Sequence, residues 1–335
     1  MLYEKILKAG KCTFTDTSAL TRGQWLELRK SGIGGSDAGA IMGLNKYSSQ
    51  LSVYLAKKGL ASFDGNKTTE WGNILEDPVR KKAREELGIE IENVPGMFTS
   101  KVYPFMNANL DGLVFADSER LLAGKEVSGL GGHEIKTSRN GDGFSDEEVP
   151  DSYYAQVQHY MAVTGLPFFV LSVFIISRYE GRHYVIPRND EFIALLVEME
   201  KDFWENYVMA DVMPAPTGSE SEAELVKSLP VGGDLVLDGG CAEILDRKSE
   251  IDAQIKELER QSDALKEQLI LRMSEAGGGE DAEKVSATCG AWKITYNTQT
   301  RRVVDSDALK KAGMYDQFTK PSVCRVLRIS RGKGL

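Results

Sequence analysis

The sequence predicts an α/β protein in which a sheet is covered on both faces, followed by a helical arm with a small β element. Three observations predict it. Stretches of strand character cluster in mid-chain at 109–115, 132–137 and 168–176. Apolar residues at helical spacing bracket them, over 70–87 and 153–164. Past residue 240 the pattern becomes one narrow heptad seam. At 335 residues, and about 150 per domain, the chain should make two domains. The run Met213-Pro214-Ala215-Pro216-Thr217-Gly218 places the boundary, giving domains 1–215 and 216–335.

The elements follow in order. Before Leu60, short helices surround a glycine-rich turn, 31–37, with Ser36 as a candidate N-cap for the helix behind it. In the 70–87 helix, Ile74, Leu75, Val79, Ala83 and Leu87 share a face, and Pro78 predicts a kink or a start near Asp77. Residues 109–115 read as one bent strand paired with 132–137 across a hairpin turn at 124–132. The continuous apolar run 168–176 suits a central strand, with 182–187 as its hairpin partner. A helix over 190–209 carries Phe192, Leu195, Leu196, Met199, Phe203 and Tyr207 as its stripe. In the arm, Ile244, Ile251, Leu258 and Leu265 recur every seven residues, suiting a coiled coil or a helical hairpin, with Asp252 and Lys256 paired on the polar face. A strand hairpin over 285–296 turns at Cys289-Gly290.

Composition removes several function classes. Apolar residues are 41% and charged residues 27%, as in an ordinary globular protein. Lys and Arg number 41 against 50 Asp and Glu, a net charge of −9 that argues against coating nucleic acid with the whole surface, though not against a basic channel. Cys12, Cys241, Cys289 and Cys324 form no CxxC pair, which removes zinc ribbons and fits a reducing compartment. No apolar run long enough for a signal peptide or a membrane helix occurs, so a cytoplasmic protein with no membrane partner is expected.

The strongest constellation is Asp111 with Glu134-Ile135-Lys136. Residues two apart in a strand share a face, so Glu134 and Lys136 point the same way, with Asp111 arriving from the neighbouring strand. Two carboxylates and the Ile135 carbonyl suit magnesium, or manganese, while Lys136 would hold the attacking water or stabilise charge on a phosphate. The plain alternative is a cross-strand salt bridge. Glu76 lies on the first long helix, and Gln156 and Tyr160 share a face of the helix after the Glu134 strand. The turn before Ser36, with Arg29, could present N–H groups to a phosphate, although it matches neither a dinucleotide fingerprint nor a P-loop. Trp71 and Trp204 read as core, Trp25 as core or as a surface stacking near a DNA end, and His133, His159 and His183 as structural, the last two isolated.

Taken in order, Trp25-Leu26-Glu27-Leu28-Arg29, Ile33-Gly34-Gly35-Ser36-Asp37, Trp71-Gly72 with Glu76, Leu110-Asp111-Gly112, Glu134-Ile135-Lys136 and Tyr154-Ala155-Gln156-Val157-Gln158 resemble the YqaJ viral recombinase family. Its members are lambda-exonuclease-like nucleases of the PD-(D/E)xK superfamily, and the likeness covers residues 20–210. It implies a restriction-endonuclease-like α/β/α core with a central mixed sheet and magnesium-dependent phosphodiester hydrolysis. By this resemblance Asp111, Glu134 and the Ile135 carbonyl bind metal, Glu76 acts on the metal or its waters, Lys136 positions the nucleophile and Gln156 supports the site. Arg29 and Ser36 match positions that hold a terminal 5′-phosphate. The implied activity is 5′-to-3′ digestion of double-stranded DNA ends, leaving 3′ single-stranded tails for a RecT-like annealing protein, in a trimeric ring inside a bacterial or phage-infected cell. Residues 299–302 and 320–325 resemble the tail of longer members of this family. A nicking or structure-specific endonuclease and a non-catalytic DNA- or protein-binding module are the alternatives. For the arm, docking of a partner or a second copy stands against packing on the core.

Overall fold

The structure, a computed structural model, describes residues 1–60, 67–277, 284–320 and 329. It divides into two compact units, Met1–Pro230 and Val231–Leu335. The first opens with α1 (Tyr3–Lys8), β1 (Cys12–Asp16), α2 (Arg22–Lys30), β2 (Ile33–Gly34), α3 (Gly35–Ile41), α4 (Gln50–Lys57) and α5 (Lys67–Leu87). It continues through β3 (Ile91–Glu92), β4 (Gly96–Ser100), β5 (Met106–Asn109), β6 (Gly112–Leu122) and β7 (Lys125–Ser138). After these come α6 (Asp151–Thr164), β8 (Phe168–Ile175), β9 (Glu180–Pro187), α7 (Asp190–Phe203) and α8 (Glu220–Ser228). The second unit holds α9 (Gly240–Gly277), a hairpin of β10 (Lys284–Cys289) and β11 (Trp292–Asn297), α10 (Ser306–Lys311) and α11 (Tyr315–Phe318). No described helix is long and apolar enough to cross a membrane.

The central sheet is mixed, in the order β3-β6-β7-β8-β9, with β7 and β8 parallel and the other pairs antiparallel. Alternation along β8 explains the layering. Phe168 and Val170 join Ala83 of α5 in one cluster, whereas Phe169, Leu171 and Val173 join Ala155 and Val157 of α6 in another. The sheet is therefore sandwiched between α5 and α6, the expected α/β/α core with a central mixed sheet. A second sheet, β1-β4-β5-β2, adjoins it, and Leu110-Asp111 carries the chain from one sheet to the other.

Several expectations change in detail. Residues 109–115 are not one strand, because Asn109 ends β5 and Gly112 starts β6. The hairpin turns at Ala123 and Gly124, both with positive φ, and the glycines after it lie within β7. Gly132 belongs there because the Phe169 ring crosses where its Cβ would stand. Ser36 is not the N-cap of α3; Gly34 is, its N–H donating to Asp37 Oδ2 at 2.9 Å. Helix α5 runs through Pro78. Trp71 is 59% exposed, since it lies nine residues, about half a rotation, from buried Arg80. Trp204 packs on Phe105 and sits in a π-helical segment that follows α7. The Lys248–Asp252 ion pair replaces the expected 252–256 pairing. The first unit reaches Pro230 because the Glu222 carboxylate accepts from Ser49 Oγ, Thr217 and Gly218, while Leu225 and Leu229 pack on the α4 core. Pro321 to Arg325, and with them Cys324, lie outside the described residues.

The α7 stripe is centred one position away from the expected one. Leu195 faces solvent and Glu200 is fully buried, paired through its carboxylate with His159 Nδ1 at 2.8 Å. His159 Nε2 meets the Asn107 carbonyl at 2.9 Å, so this histidine is far from isolated. A carbonyl only accepts, hence Nε2 carries a proton and the pair shares one more. Burial pushes His159 down, but Glu200 and the Asn107 carbonyl outweigh it and hold it above its usual value. Burial likewise raises Glu200. Both shifts mean that the folded pair binds its proton more tightly than the unfolded chain. The His159 share of that stabilisation is complete below about pH 6.5 and is lost as pH climbs through its raised value, while the Glu200 share is complete only below about pH 4.5. Urea unfolding at pH 6 and pH 9 should show a falling midpoint that His159→Leu/Glu200→Met flattens. His159→Ala alone should cost about 3–5 kcal/mol, because it leaves Glu200 buried without a partner.

Candidate active site

The site forms where β6 stops running beside β7. The ladder's last pair is Gly112 with His133, and β7 continues to Ser138 with that edge free of β6. Asp111, one residue before β6, fills the gap: the Ile135 N–H donates to its Oδ2 at 2.8 Å. A strand residue presents N–H and C=O to the same edge, so the Ile135 carbonyl looks the same way. Glu134 is 3% exposed and points toward α6, as alternation predicted, with His133 on the opposite face.

Each donor around Glu134 goes to one oxygen. Lys136 Nζ donates to Oε1 at 2.7 Å and Gln156 Nε2 donates to the same atom at 2.6 Å. Gln156 also donates to the Tyr160 hydroxyl at 2.9 Å. Oε2 is buried and receives no hydrogen bond. The Lys136 ammonium lies 5.0 Å from the centre of the Tyr153 ring, a neighbour that sequence reasoning missed. Burial and the Glu134 charge push Asp111 up to about 7, and burial also raises Glu134. Burial would discharge Lys136, but Glu134 and Asp111 outweigh it and keep the ammonium charged.

Glu76 comes from α5. Burial and the Asp111 charge raise its carboxyl, which places it within electrostatic reach of the acid pair, yet its Oε1 is taken by Arg80. Arg80 is a second missed residue; its i+4 spacing from Glu76 was the available signal. Arg29 and Ser36 do come together, Nη2 donating to Oγ at 2.8 Å, with Arg29 also over the half-buried Trp25 ring at 4.9 Å. The corner is held from below by a Lys57–Asp37 ion pair of 2.7 Å. Gly35 packs so closely on the Tyr160 ring that a Cβ would collide with it. Ring and hydroxyl of Tyr160 thus join this corner to Gln156 and Glu134.

These donors fit a hard divalent cation. Among the described residues no three His, Cys, Asp or Glu side chains stand together in metal-binding geometry. Two carboxylates and one carbonyl do meet, one carboxylate oxygen lacks any hydrogen-bond partner, and no sulfur or imidazole competes.

A family model, the YqaJ-like viral recombinase domain, matches residues 24–167. Over 271 residues the chain is 30% identical to the uncharacterized protein YqaJ of Bacillus subtilis (strain 168), covering 78% of this chain and 81% of that one. The chain belongs to the YqaJ-like viral recombinase domain family. All seven candidate side chains, from Arg29 to Gln156, fall inside the part matched by the family model. Among solved structures, the alkaline exonuclease LHK-Exo of Laribacter hongkongensis is similar at 20% identity and a TM-score of 0.45, over 57% of this chain and 94% of that one. The LHK-Exo complex with dAMP gives 19% and 0.46 over the same shares. A phage related exonuclease of Haemophilus somnus 129PT gives 14% and 0.37, over 56% and 99%.

Two crowded acids cost stability until a cation arrives. In EDTA, Asp111→Asn should therefore melt above the wild type, by about 2–4 °C for each kcal/mol relieved. Magnesium at about 100 times its dissociation constant should stabilise the wild type by about 2.7 kcal/mol. It should leave Asp111→Asn unmoved. Scanning calorimetry with and without magnesium reads both effects.

Proposed function

We propose that this protein is a magnesium-dependent 5′-to-3′ double-stranded DNA exonuclease of phage-type recombination. It would resect duplex ends to 3′ single-stranded tails, the substrate of a RecT-like annealing protein. One observation carries the reading: Asp111 and Glu134 meet at the bare edge of β7 with a charged lysine beside them and one carboxylate oxygen without a partner. Family membership supports it.

Asp111, Glu134 and the Ile135 carbonyl would hold the metal, which supplies a water of lowered pKa and polarises the phosphate. The chain's own groups do the rest. Lys136 has two N–H donors left after Glu134, enough to hold a water in line with the scissile phosphorus and to meet charge growing on the phosphate oxygens. Gln156 fixes which way the Glu134 carboxylate turns, and Tyr160 fixes Gln156. Arg29 and Ser36 offer a guanidinium and a hydroxyl to a terminal 5′-phosphate. Because Tyr160 links that corner to the acids, a phosphate held there would set which bond lies over Glu134, and so give the enzyme its direction.

Linear duplex with 5′-phosphates, incubated with magnesium, should release mononucleotides, while covalently closed circles stay intact. Nicked circles would turn the reading toward an endonuclease. Lys136→Ala should lower kcat about 10²–10³-fold. Gln156→Ala should cost about 10–100-fold. Arg29→Ala should erase the preference for a 5′-phosphate over a 5′-hydroxyl end and leave the melting response to magnesium intact.

A further inference from the structure

The arm carries an interaction surface with a readable partner. Helix α9 is continuous from Gly240 to Gly277, so no helical hairpin folds back to cover its own seam. At 1.5 Å per residue it is about 57 Å long. Its seam is bare among the described residues: Ile244 is 69% exposed, Leu258 63% and Leu265 60%, and no residue of the helix is buried. Ile244, Ile251, Leu258 and Leu265 occupy one heptad position, d. Four residues after Ile251 and Leu265 stand Ile255 and Leu269, which occupy the other core position, a. Apolar side chains at all four d positions and at alternate a positions are the pattern of two helices locked by knobs and holes.

We propose that α9 pairs with α9 of a second copy of this chain in a parallel, in-register, two-stranded coiled coil. The flanking charges decide the orientation. In the parallel arrangement each g position faces the e position five residues on in the other strand, giving Arg247 with Asp252, Gln254 with Glu259 and Gln261 with Lys266. One pair is attractive and none is repulsive. The antiparallel arrangement that aligns the same apolar layers would set Asp252 against Glu259 twice, acid against acid. Lys248 falls at a core a position, where its stem can lie along the seam while its ammonium reaches Asp252, as it does within one helix at 2.7 Å. A polar residue at an a position, as Lys248 is, helps to fix register at some cost in stability. The pairing is independent of the nuclease reading, since no residue of the first unit takes part.

The test uses the full chain with Cys241→Ser, Cys289→Ser and Cys324→Ser, since Cys241 is itself an a position of α9 and would crosslink on its own. Ser262 is an a position, so Ser262→Cys places two thiols side by side only in the parallel in-register pair; in the antiparallel one its neighbour is Ile251. A short bismaleimide should join two Ser262→Cys chains quantitatively at micromolar concentration. Light scattering should report that the uncrosslinked protein contains α9-dependent pairs. Ile251→Asp/Leu258→Asp should abolish the crosslink and lower the mass, while circular dichroism and the melting of the first unit stay as they were. Leu258→Met, which keeps the volume, should preserve both. A monomeric mass at tens of micromolar would overturn the proposal. So would a mass unchanged by the two aspartates, or a failure of Ser262→Cys to crosslink.

Discussion

Two carboxyl groups forced together at the end of a strand pair are the constraint on which the site depends. Asp111, in the connection just before β6, meets Glu134 of β7 in a nearly dry notch, and burial first and the Glu134 charge second push Asp111 up to about 7. The fold tolerates this because donors are concentrated on two of the four oxygens: the Ile135 N–H on Asp111 Oδ2, and Lys136 with Gln156 on Glu134 Oε1. Removing that crowding would need β6 to run on beside β7. The chain instead turns away at Leu110-Asp111 into another sheet, so the topological break and the chemistry are one feature.

The opposite face of the same strand does different work. His133, one residue from Glu134, turns the other way and meets Ser172 Oγ at 2.8 Å. Ser172 then meets His183 Nδ1 at 2.9 Å, and His183 Nε2 meets Glu86 of α5 at 2.9 Å. His183 is therefore not isolated either. This polar chain, with Ala83 and Leu87 beside it, fastens α5 across β7, β8 and β9. Glu76 lies on that same rigid helix, so the clamp under the sheet fixes how far Glu76 stands from Asp111. Period-two alternation lets one strand supply reactive groups to one layer and a fastening to the other.

What the sequence revealed divides along a physical line. Features set by local periodicity were legible: Glu134 and Lys136 on one face, Gln156 and Tyr160 one helical turn apart, β8 buried on both sides. Features set by a distant partner were not. Gly131 and Gly132 look like a turn until Phe168 and Phe169 are known to cross them. Glu200 looks like the solvent face of its helix until His159 is placed beside it, and Leu195 is displaced as a consequence. Trp71 carries the hydrophobicity of a core residue, but Arg80 and Ala83 fix which side of α5 meets the sheet. The break between Asn109 and Gly112 has no periodic signature at all, because both halves are strand.

Charge counting then connects the site to the whole chain. Asp111, Glu134 and Glu76 bring three acids to the notch, against Lys136 and Arg80. The notch is therefore left with one negative charge when all five groups are ionised, within a chain of net charge −9. A phosphodiester approaching it meets repulsion, not attraction. On the proposed reading a divalent cation would reverse that sign, seated at the Glu134 oxygen that no donor reaches. Arg29 would then meet the anion from a corner tied by Tyr160 to the acids. On that reading the order of events would be metal before substrate, with the DNA end held at Arg29 and the bond presented at Glu134.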